Sequence, residues 1–464
     1  MKSISTCKWL PVLLFVFFTA CNNHDEKKSG DVTETPPKTP CNLDAPVIFS
    51  SNVPHEVDVS LPNGYQGLSP TTQPCFDIFS WQSFIALNWP ANPDGSPSQG
   101  SITSNISSPR VWEYYKQPSE VFNTNEHLLP FSGMYRAEPG LKGFYTFTKL
   151  TNELASVSNL PASIKQATGQ PLIDKNLNFA LFEVHLNKDE VDYLVNDSLT
   201  TIEGQKGKTI KFPSGSVKGP VGAIEIKASW KILEPGKDDT SKFYKRMAVI
   251  YIPATESANG KALYLKELVG LVGMHILHKT ELFPFWVWTT FEHIDDAPQQ
   301  AVAKSAGNNF SFFNPACTGC AYNTPPTASA GNKYLWQPNK PYAKLYATNS
   351  LYGTQAVSVD TVYGPTDAVN RKWQKALADA GSVFANYRLI GSQWSVVLDA
   401  PPFDTVPAPT NLTNITLETF IQPSSCTMTC HKFAKDAVGK PSDFSFIPGH
   451  ARAAALVRSM KKSK

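Results

Sequence analysis

The stretch Ile224-Glu225-Ile226-Lys227-Ala228-Ser229-Trp230-Lys231-Ile232 alternates strictly, because every even-numbered residue is apolar and every odd-numbered residue is polar. A period of two places successive side chains on opposite faces of a β-strand. The pattern therefore predicts a strand with one face buried against a core and the other face in water.

Other segments share this strand character and are separated by clusters of Gly, Pro, Asn and Asp. They span residues 179–186, 247–252, 269–276 and 285–291. Together they predict a mainly β, antiparallel-sheet body over residues 41–345. Residues 346–464 read as a smaller helical and loop region, which makes the expected fold class α+β overall.

Helical periodicity appears near the C-terminus. After Thr366 as a plausible N-cap, Val369, Trp373, Leu377 and Phe384 recur at helical spacing and predict an amphipathic helix on the core. Residues 451–460 are alanine-rich with basic residues at the end, which predicts a short terminal helix. Residues 314–340 and 399–414 are rich in proline and asparagine and read as loops.

The N-terminus has the features of a lipoprotein signal peptide over residues 1–20. Lys2 and Lys8 precede an apolar run that ends at Phe18-Thr19-Ala20-Cys21. This pattern predicts lipidation of Cys21. The acyl chains would anchor the protein, because each methylene buried in the bilayer contributes about 0.8 kcal/mol. Residues 21–40 predict a flexible tether. Acidic residues behind Cys21 resemble the export signals of bacterial surface lipoproteins, so the expected location is the cell envelope, at the outer membrane.

The charge balance argues against one class of partner. Without Lys2 and Lys8, 40 basic residues face 39 acidic ones, and the mature formal charge is near +1. Such a chain lacks the basic excess that is typical of nucleic-acid-binding proteins.

The segment Cys426-Thr427-Met428-Thr429-Cys430-His431 bears most directly on function. Covalent attachment of haem c uses two cysteines followed at once by a histidine that ligates the iron. The usual spacer is two residues and here it is three, which an outward bulge can accommodate. We expect one covalent haem c on Cys426 and Cys430, with His431 as the proximal iron ligand. The alternative is a disulfide between these two cysteines.

Four more cysteines remain in the mature chain, and their even number outside the cytoplasm favours two disulfides. They are Cys41, Cys75, Cys317 and Cys320. Three connectivities are possible. The pair in Cys317-Thr318-Gly319-Cys320-Ala321 has the haem spacing but alanine in place of the ligating histidine. A loop disulfide, or pairing with Cys41 or Cys75, is therefore favoured over a second haem.

A second axial ligand has candidates in the tail and in the β body. Only 33 residues follow His431, so we expect the porphyrin to contact the β body. The tail offers His450 and Met460, and the body offers His275, with His278 and His293 as further histidines. His275 and His278 differ by three along a predicted strand, which places them on opposite faces. Two axial ligands would favour electron transfer, and an open position would favour binding of a small molecule.

A family resemblance covers most of the chain from Cys75 onward. It begins with Cys75-Phe76-Asp77-Ile78-Phe79-Ser80-Trp81-Gln82-Ser83-Phe84 and Leu87-Asn88-Trp89-Pro90, and it continues through 225–230, 271–280, 286–298, 416–420 and Asp443-Phe444-Ser445-Phe446. The pattern resembles a poorly characterised bacterial group of cytochrome c family proteins, in a lipoprotein form. The resemblance implies that Cys426 and Cys430 bind haem and that His431 ligates its iron. It carries no catalytic residue, so no enzyme activity follows.

Three functional hypotheses follow. The first is a lipid-anchored c-type cytochrome outside the cytoplasm, which binds one haem c and exchanges electrons with a redox protein that the sequence does not identify. The second is a cofactor-free surface β protein that binds a glycan or a partner, with its cysteines in disulfides. The third is a non-haem metal enzyme that uses His275, His278, Glu292 or His293, although their spacing fits no established ligand motif.

Overall fold

Eight strands of one sheet are described in the computed structural model. The described residues are 41–59, 70–104, 108–122, 145–147, 170–326, 334–343, 352–395, 407–425 and 430–453, and they belong to one compact unit, Lys38–Lys464. The strands are β1 (Tyr145–Phe147), β2 (Leu181–Leu186), β3 (Ile224–Ile232), β4 (Lys245–Ile252), β5 (Leu263–His278), β6 (Val287–His293), β7 (Tyr387–Ser395) and β8 (Pro407–Ala408).

The long strand β5 organises the sheet. The strand order is β1–β4–β5–β6–β7–β8, and β3 pairs with both β5 and β2. Every described pairing is antiparallel except that of β1 with β4. The predicted antiparallel, mainly sheet-built α+β fold is therefore confirmed. Strand β7 comes from the region that the sequence assigned to helix and loop, and it pairs with β6.

Among the described residues there are five α-helices, and the two longest, the first and the last, pack on one face of this sheet. The helices are α1 (Gln73–Leu87), α2 (Pro118–Val121), α3 (Lys188–Asn196), α4 (Ile202–Gln205) and α5 (Gly364–Asp379). Helix α5 is the amphipathic helix that the periodicity predicted, but it begins two residues before Thr366. It ends before Gly381, whose φ of 71° is the left-handed conformation that commonly closes a helix. Of the predicted terminal helix, residues 454–460 lie outside the described residues.

The main core lies between α1, α5 and the sheet. Trp81 of α1 stacks on Trp373 of α5 with ring centroids 5.7 Å apart, and Phe84 of α1 stacks on Phe291 of β6 at 4.1 Å. The apolar residues of β3, including Ile226 and Trp230, are fully buried in the same core. The face predicted to be buried is thus the face that contacts the helices.

The expectation that the other face of β3 is wet was wrong. Glu225 is 6% exposed, and both Ser229 and Lys231 are fully buried. Lys231 is tolerated because its ammonium lies 2.7 Å from Asp238, in keeping with the rule that buried charges are paired. Strand β3 is therefore covered on both faces.

We call the segment over this second face the C-terminal cover, residues 411–425 and 430–453. The Asn414 amide donates to Thr290 Oγ1 and to the Phe291 carbonyl, both at 2.8 Å. Ser425 donates to Gln393 of β7 at 3.2 Å. Apolar residues of the cover pack with those of the sheet, which are Leu412, Phe444 and Ile447 against Leu277, Trp286 and Trp288. Polar pairing and apolar packing both hold the cover in place.

Two disulfides are present among the described residues. They join Cys41 to Cys75 and Cys317 to Cys320. The expected pairing of these four cysteines is confirmed, and the structure selects one of the three possible connectivities. The first disulfide ties residues 41–59 to the start of α1.

We expect Gly273→Ala to lower the free energy of unfolding by about 1–3 kcal/mol, the usual cost of overpacking. A Cβ at this position would collide with Ser229 Oγ and with Thr416 Oγ1 of the cover. Urea unfolding measures the loss. Gly364→Ala is the control, because nothing lies within 4 Å of its added Cβ. Equal effects at the two positions would contradict the tight approach of the cover to β5.

Candidate functional site

The haem-type motif begins at the boundary of the described residues. Cys426 and the three residues after it lie outside them, whereas Cys430 is described and carries a half-buried free thiol. Burial raises the pKa of this thiol, and the Glu418 carboxylate raises it further against the opposing effect of Lys227. The sulfur of Cys430 is therefore mainly in the protonated thiol form at neutral pH.

His431 is fixed by a backbone carbonyl and two aromatic rings. Its Nδ1 lies 2.7 Å from the carbonyl oxygen of Phe444. The ring centroids of Trp288 and Phe446 lie 4.7 and 5.0 Å from that of His431. A carbonyl oxygen only accepts hydrogen bonds, so Nδ1 carries the hydrogen. In the neutral imidazole the lone pair is then on Nε2, which is the usual arrangement of a metal-ligating histidine.

The carbonyl that orients His431 belongs to unusual backbone. Asp443 and Phe444 have φ values of 55° and 67°, and the neighbouring Trp286 has φ of 70°. Residues other than glycine rarely adopt this left-handed region, and such positions cluster at functional sites. The Trp286 indole donates to the Asp443 carbonyl at 2.9 Å. The backbone amide of Phe212 donates to the Asp443 carboxylate at 2.8 Å. These bonds hold the strained turn that presents the Phe444 carbonyl.

A buried ion pair supports the same turn. The ammonium of Lys279, which is fully buried, pairs with the Asp443 carboxylate. Glu190 of α3 and Glu225 of β3 belong to the same charged group. Burial raises the pKa of Glu190 well above its ordinary value, the neighbouring Glu225 raises it further, and Lys279 opposes both effects. Glu190 therefore favours its protonated form, whereas Lys279 and Lys211 both oppose protonation of Asp443.

A second polar group lies beside Cys430. His275 of β5 lies with Nε2 2.9 and 3.0 Å from the two oxygens of Glu418. Burial raises the pKa of Glu418, but His275, with help from Lys227 and the Asn414 amide, outweighs burial, so the net shift is downward. Glu418 therefore stays ionised. Its pairing occupies Nε2 of His275, one of the two ring nitrogens through which a histidine can ligate a metal.

The candidate second ligands that the structure describes, His275 and His450, contact other groups. His275 is bound to Glu418, as described above. His450 lies in a 3₁₀ turn, Ile447–His450, with its ring 6.0 Å from that of Phe122. Met460 lies outside the described residues, as does the expected lipidation site Cys21. The described part of the chain thus supplies one oriented imidazole next to the cysteine motif.

The residues of the non-haem hypothesis divide between the two faces of the sheet. His278 stacks on Phe79 of α1 at 5.3 Å, whereas His275 faces the cover, so the prediction that they point to opposite faces is confirmed. His293 stacks on Phe243, and Glu292 is bound by Arg388 and the amide of Ile415. Among the described residues, no group of three or more His, Cys, Asp or Glu side chains could hold a metal ion.

The described part of the site fits the proximal half of a haem c centre. The imidazole is oriented with its lone pair on Nε2, aromatic rings border it, and the thiol of Cys430 precedes it in sequence. Sequence reasoning missed Phe444, Lys279 and Glu190 as supporting residues. The resemblance passes through 271–280 and Asp443-Phe444-Ser445-Phe446, but it assigns no supporting role to Lys279 or Phe444.

The described helices and the comparisons add three findings. None of the described helices has both the length and the apolar character needed to span a bilayer. No protein-family model matches the chain. Comparisons with curated proteins and with solved structures also find no match.

Proposed function

We propose that the protein is a c-type cytochrome-like electron-transfer protein that binds one haem c. Cys426 and Cys430 would form the thioether bonds, and His431 would be the proximal ligand. The observation that carries the proposal is the hydrogen bond from His431 Nδ1 to the Phe444 carbonyl at 2.7 Å. It orients the ring and places the lone pair on Nε2, directly after a cysteine that is free of disulfide bonding.

The bound haem would supply one-electron chemistry. The chain's own residues would fix the axial imidazole, and the buried Lys279–Asp443 pair would hold the turn that fixes it. Trp288 and Phe446 would limit the access of water to His431. No enzyme activity is part of the proposal.

Anchoring and location belong to the same proposal. Acylation of Cys21 would tether the protein to the outer membrane of the cell envelope, and residues 22–40 would act as the spacer. The partner would be a redox protein. Mass spectrometry of the N-terminal peptide tests the lipid, because an unmodified Cys21 in protein from native membranes would contradict it.

The test of haem binding is expression in a host with a haem c maturation system. We expect a haem-stained band that survives denaturing electrophoresis and a pyridine haemochrome spectrum typical of haem c. His431→Ala is expected to change the visible absorbance spectrum of the native haem protein, because the proximal ligand is lost. His55→Ala is the matched control, since Nδ1 of His55 also lies 2.9 Å from a carbonyl oxygen, that of Ser216.

A colourless wild-type protein from a competent host would contradict the proposal. It would favour the cofactor-free surface protein that binds a glycan or partner. A coloured protein whose spectrum His431→Ala does not change would retain haem binding but reject His431 as the ligand.

A further inference from the structure

A cavity unrelated to the haem-type motif lies between α1, α5 and the residues that follow Cys41. Its volume is about 420 Å³, within the range of about 300–1,000 Å³ that is usual for small-molecule sites. Helix α1 contributes Ile78, Phe79 and Gln82, and α5 contributes Val369, Lys372 and Trp373. The Cys41–Cys75 disulfide forms part of its wall and ties the remaining side of the cavity to α1.

The walls of the cavity are mainly apolar, and part of their surface is open to water. Phe79 and Trp373 are almost fully buried behind it. Ile48 also borders the cavity and is 72% exposed, the highest value among the exposed large apolar residues described. An apolar ligand body would remove this surface from water, which is the dominant favourable contribution to binding in such sites.

Lys372 gives the cavity a specific charge. Its ammonium donates to the carbonyl oxygens of Leu43 and Ala45 at 2.5 and 2.6 Å. A carbonyl oxygen orients a cation but does not neutralise its charge. An ammonium has three N–H donors, so one N–H of Lys372 remains beyond these two bonds. No carboxylate of the described residues lies within ion-pairing distance of Lys372. By contrast, Lys375 one turn later pairs with Asp379 at 2.7 Å.

Two further polar groups border the cavity. Gln82 is the one exposed residue of α1 and offers an amide donor. Asp58 is exposed to water and carries the opposite charge to Lys372. Because water screens an exposed carboxylate, Asp58 weakens the anion preference of the cavity without reversing it.

We propose that this cavity binds an amphiphilic monocarboxylate, with its hydrocarbon body between α1 and α5 and its carboxylate at Lys372. The ammonium supplies a charge-assisted hydrogen bond and Gln82 a second donor. The apolar walls select a ligand with an aliphatic or aromatic body. The site is independent of the proposed haem and would be retained if that proposal failed.

The test is fluorescence titration of the full chain with 12-bromododecanoate, whose bromine quenches a nearby tryptophan. Trp373 is the tryptophan that lines the cavity. We expect saturable quenching that unbrominated dodecanoate reverses and that is much smaller in Trp373→Phe. Lys372→Gln is expected to weaken binding about tenfold, which corresponds to about 1.4 kcal/mol. Asp58→Asn is expected to strengthen binding.

Lys375→Gln is the matched control, because it removes a lysine of the same helix that lies outside the cavity. Ala368→Phe is expected to abolish binding by filling the space, and its unfolding curve shows whether it is folded. Brominated dodecanol, which has no charge, is expected to bind wild type and Lys372→Gln equally. Non-saturable quenching, or equal affinity of wild type, Lys372→Gln and folded Ala368→Phe for the carboxylate, would overturn the proposal.

Discussion

Lys279→Met is expected to lower the free energy of unfolding by about 3–5 kcal/mol at pH 8, because breaking a buried ion pair leaves its partner uncompensated. The Lys279 side chain is fully buried and that of Asp443 is only 10% exposed. Methionine keeps most of the volume, so the loss reports charge rather than a cavity. Urea unfolding with intrinsic fluorescence measures it.

The loss should depend on pH in a defined direction. Burial already raises the pKa of Asp443, against the effect of Lys279, and it raises that of Glu190 as well. Without the ammonium, both carboxyl groups bind protons still more tightly in the folded state. The free energy of unfolding that Lys279→Met loses is therefore largest at high pH. It becomes smaller as the pH falls and these carboxyl groups become neutral.

The surface pair Lys188–Asp192 provides the control for Lys279. Its side chains are 65% and 43% exposed, so Lys188→Met should cost at most about 1 kcal/mol. The double variant Lys279→Met with Asp443→Asn should recover much of the loss, since asparagine tolerates the left-handed backbone at that position. Equal and pH-independent effects of Lys279→Met and Lys188→Met would show that the ammonium does not compensate the carboxyl group.

Asp77→Asn is expected to change the pH dependence of stability by about 4 kcal/mol between pH 4 and pH 8. Burial raises the pKa of Asp77 from 3.8 to about 7, against hydrogen bonds from Thr366, Gln73 and Ser392 that lower it. The folded state holds the proton more tightly than the unfolded state, so the wild type loses stability as the pH rises through this window. Three pH units at about 1.36 kcal/mol each give the magnitude.

Asparagine suits the position because its oxygen can accept from Gln73 and Ser392, while its amide donates to the Thr366 hydroxyl. Urea unfolding at both pH values gives the stability of the variant relative to wild type, which should rise with pH. Asp94→Asn is the control. Its carboxylate is exposed and hydrogen bonds from Ser96 lower its pKa, so its pH effect should have the opposite sign. If the stability difference between Asp77→Asn and wild type were the same at pH 4 and pH 8, the pKa of this carboxyl group would not be raised by folding.

Periodicity predicted the elements whose two faces differ in polarity. The alternation of β3 and the helical spacing of Val369, Trp373 and Leu377 both correspond to elements of the structure. Helix α1 was missed because nearly all of its residues are buried, so that it has no polar stripe from which a helical period could be read. Periodicity reveals a helix through the contrast in polarity between its two faces, and α1 has no such contrast.

The second face of the sheet was mistaken for solvent-exposed surface for a related reason. The odd-numbered residues of β3 are polar, and polarity normally indicates water. Here it indicates partners that come from distant parts of the chain, such as Thr416 for Ser229 at 2.5 Å. A strand's own sequence does not show such a partner, which lies 187 positions away.

The candidate site was located in part by its sequence. His431 was singled out by the two cysteines before it, but its orientation depends on a backbone carbonyl 13 residues later. A carbonyl is present in every residue, so composition cannot mark the one that matters. The ion pair beneath it was equally hidden, because Lys279 and Asp443 are 164 positions apart.

The C-terminal cover also sets an order of events during biosynthesis. Asn414 bonds to strand residues about 124 positions earlier, so the sheet has been translated before its second face can close. Until then, Lys279 lacks its partner Asp443. The thiol of Cys430 becomes half-buried only when the cover docks. We expect any enzyme that modifies this cysteine to act on the nascent or newly exported chain, before the last segment settles onto the sheet.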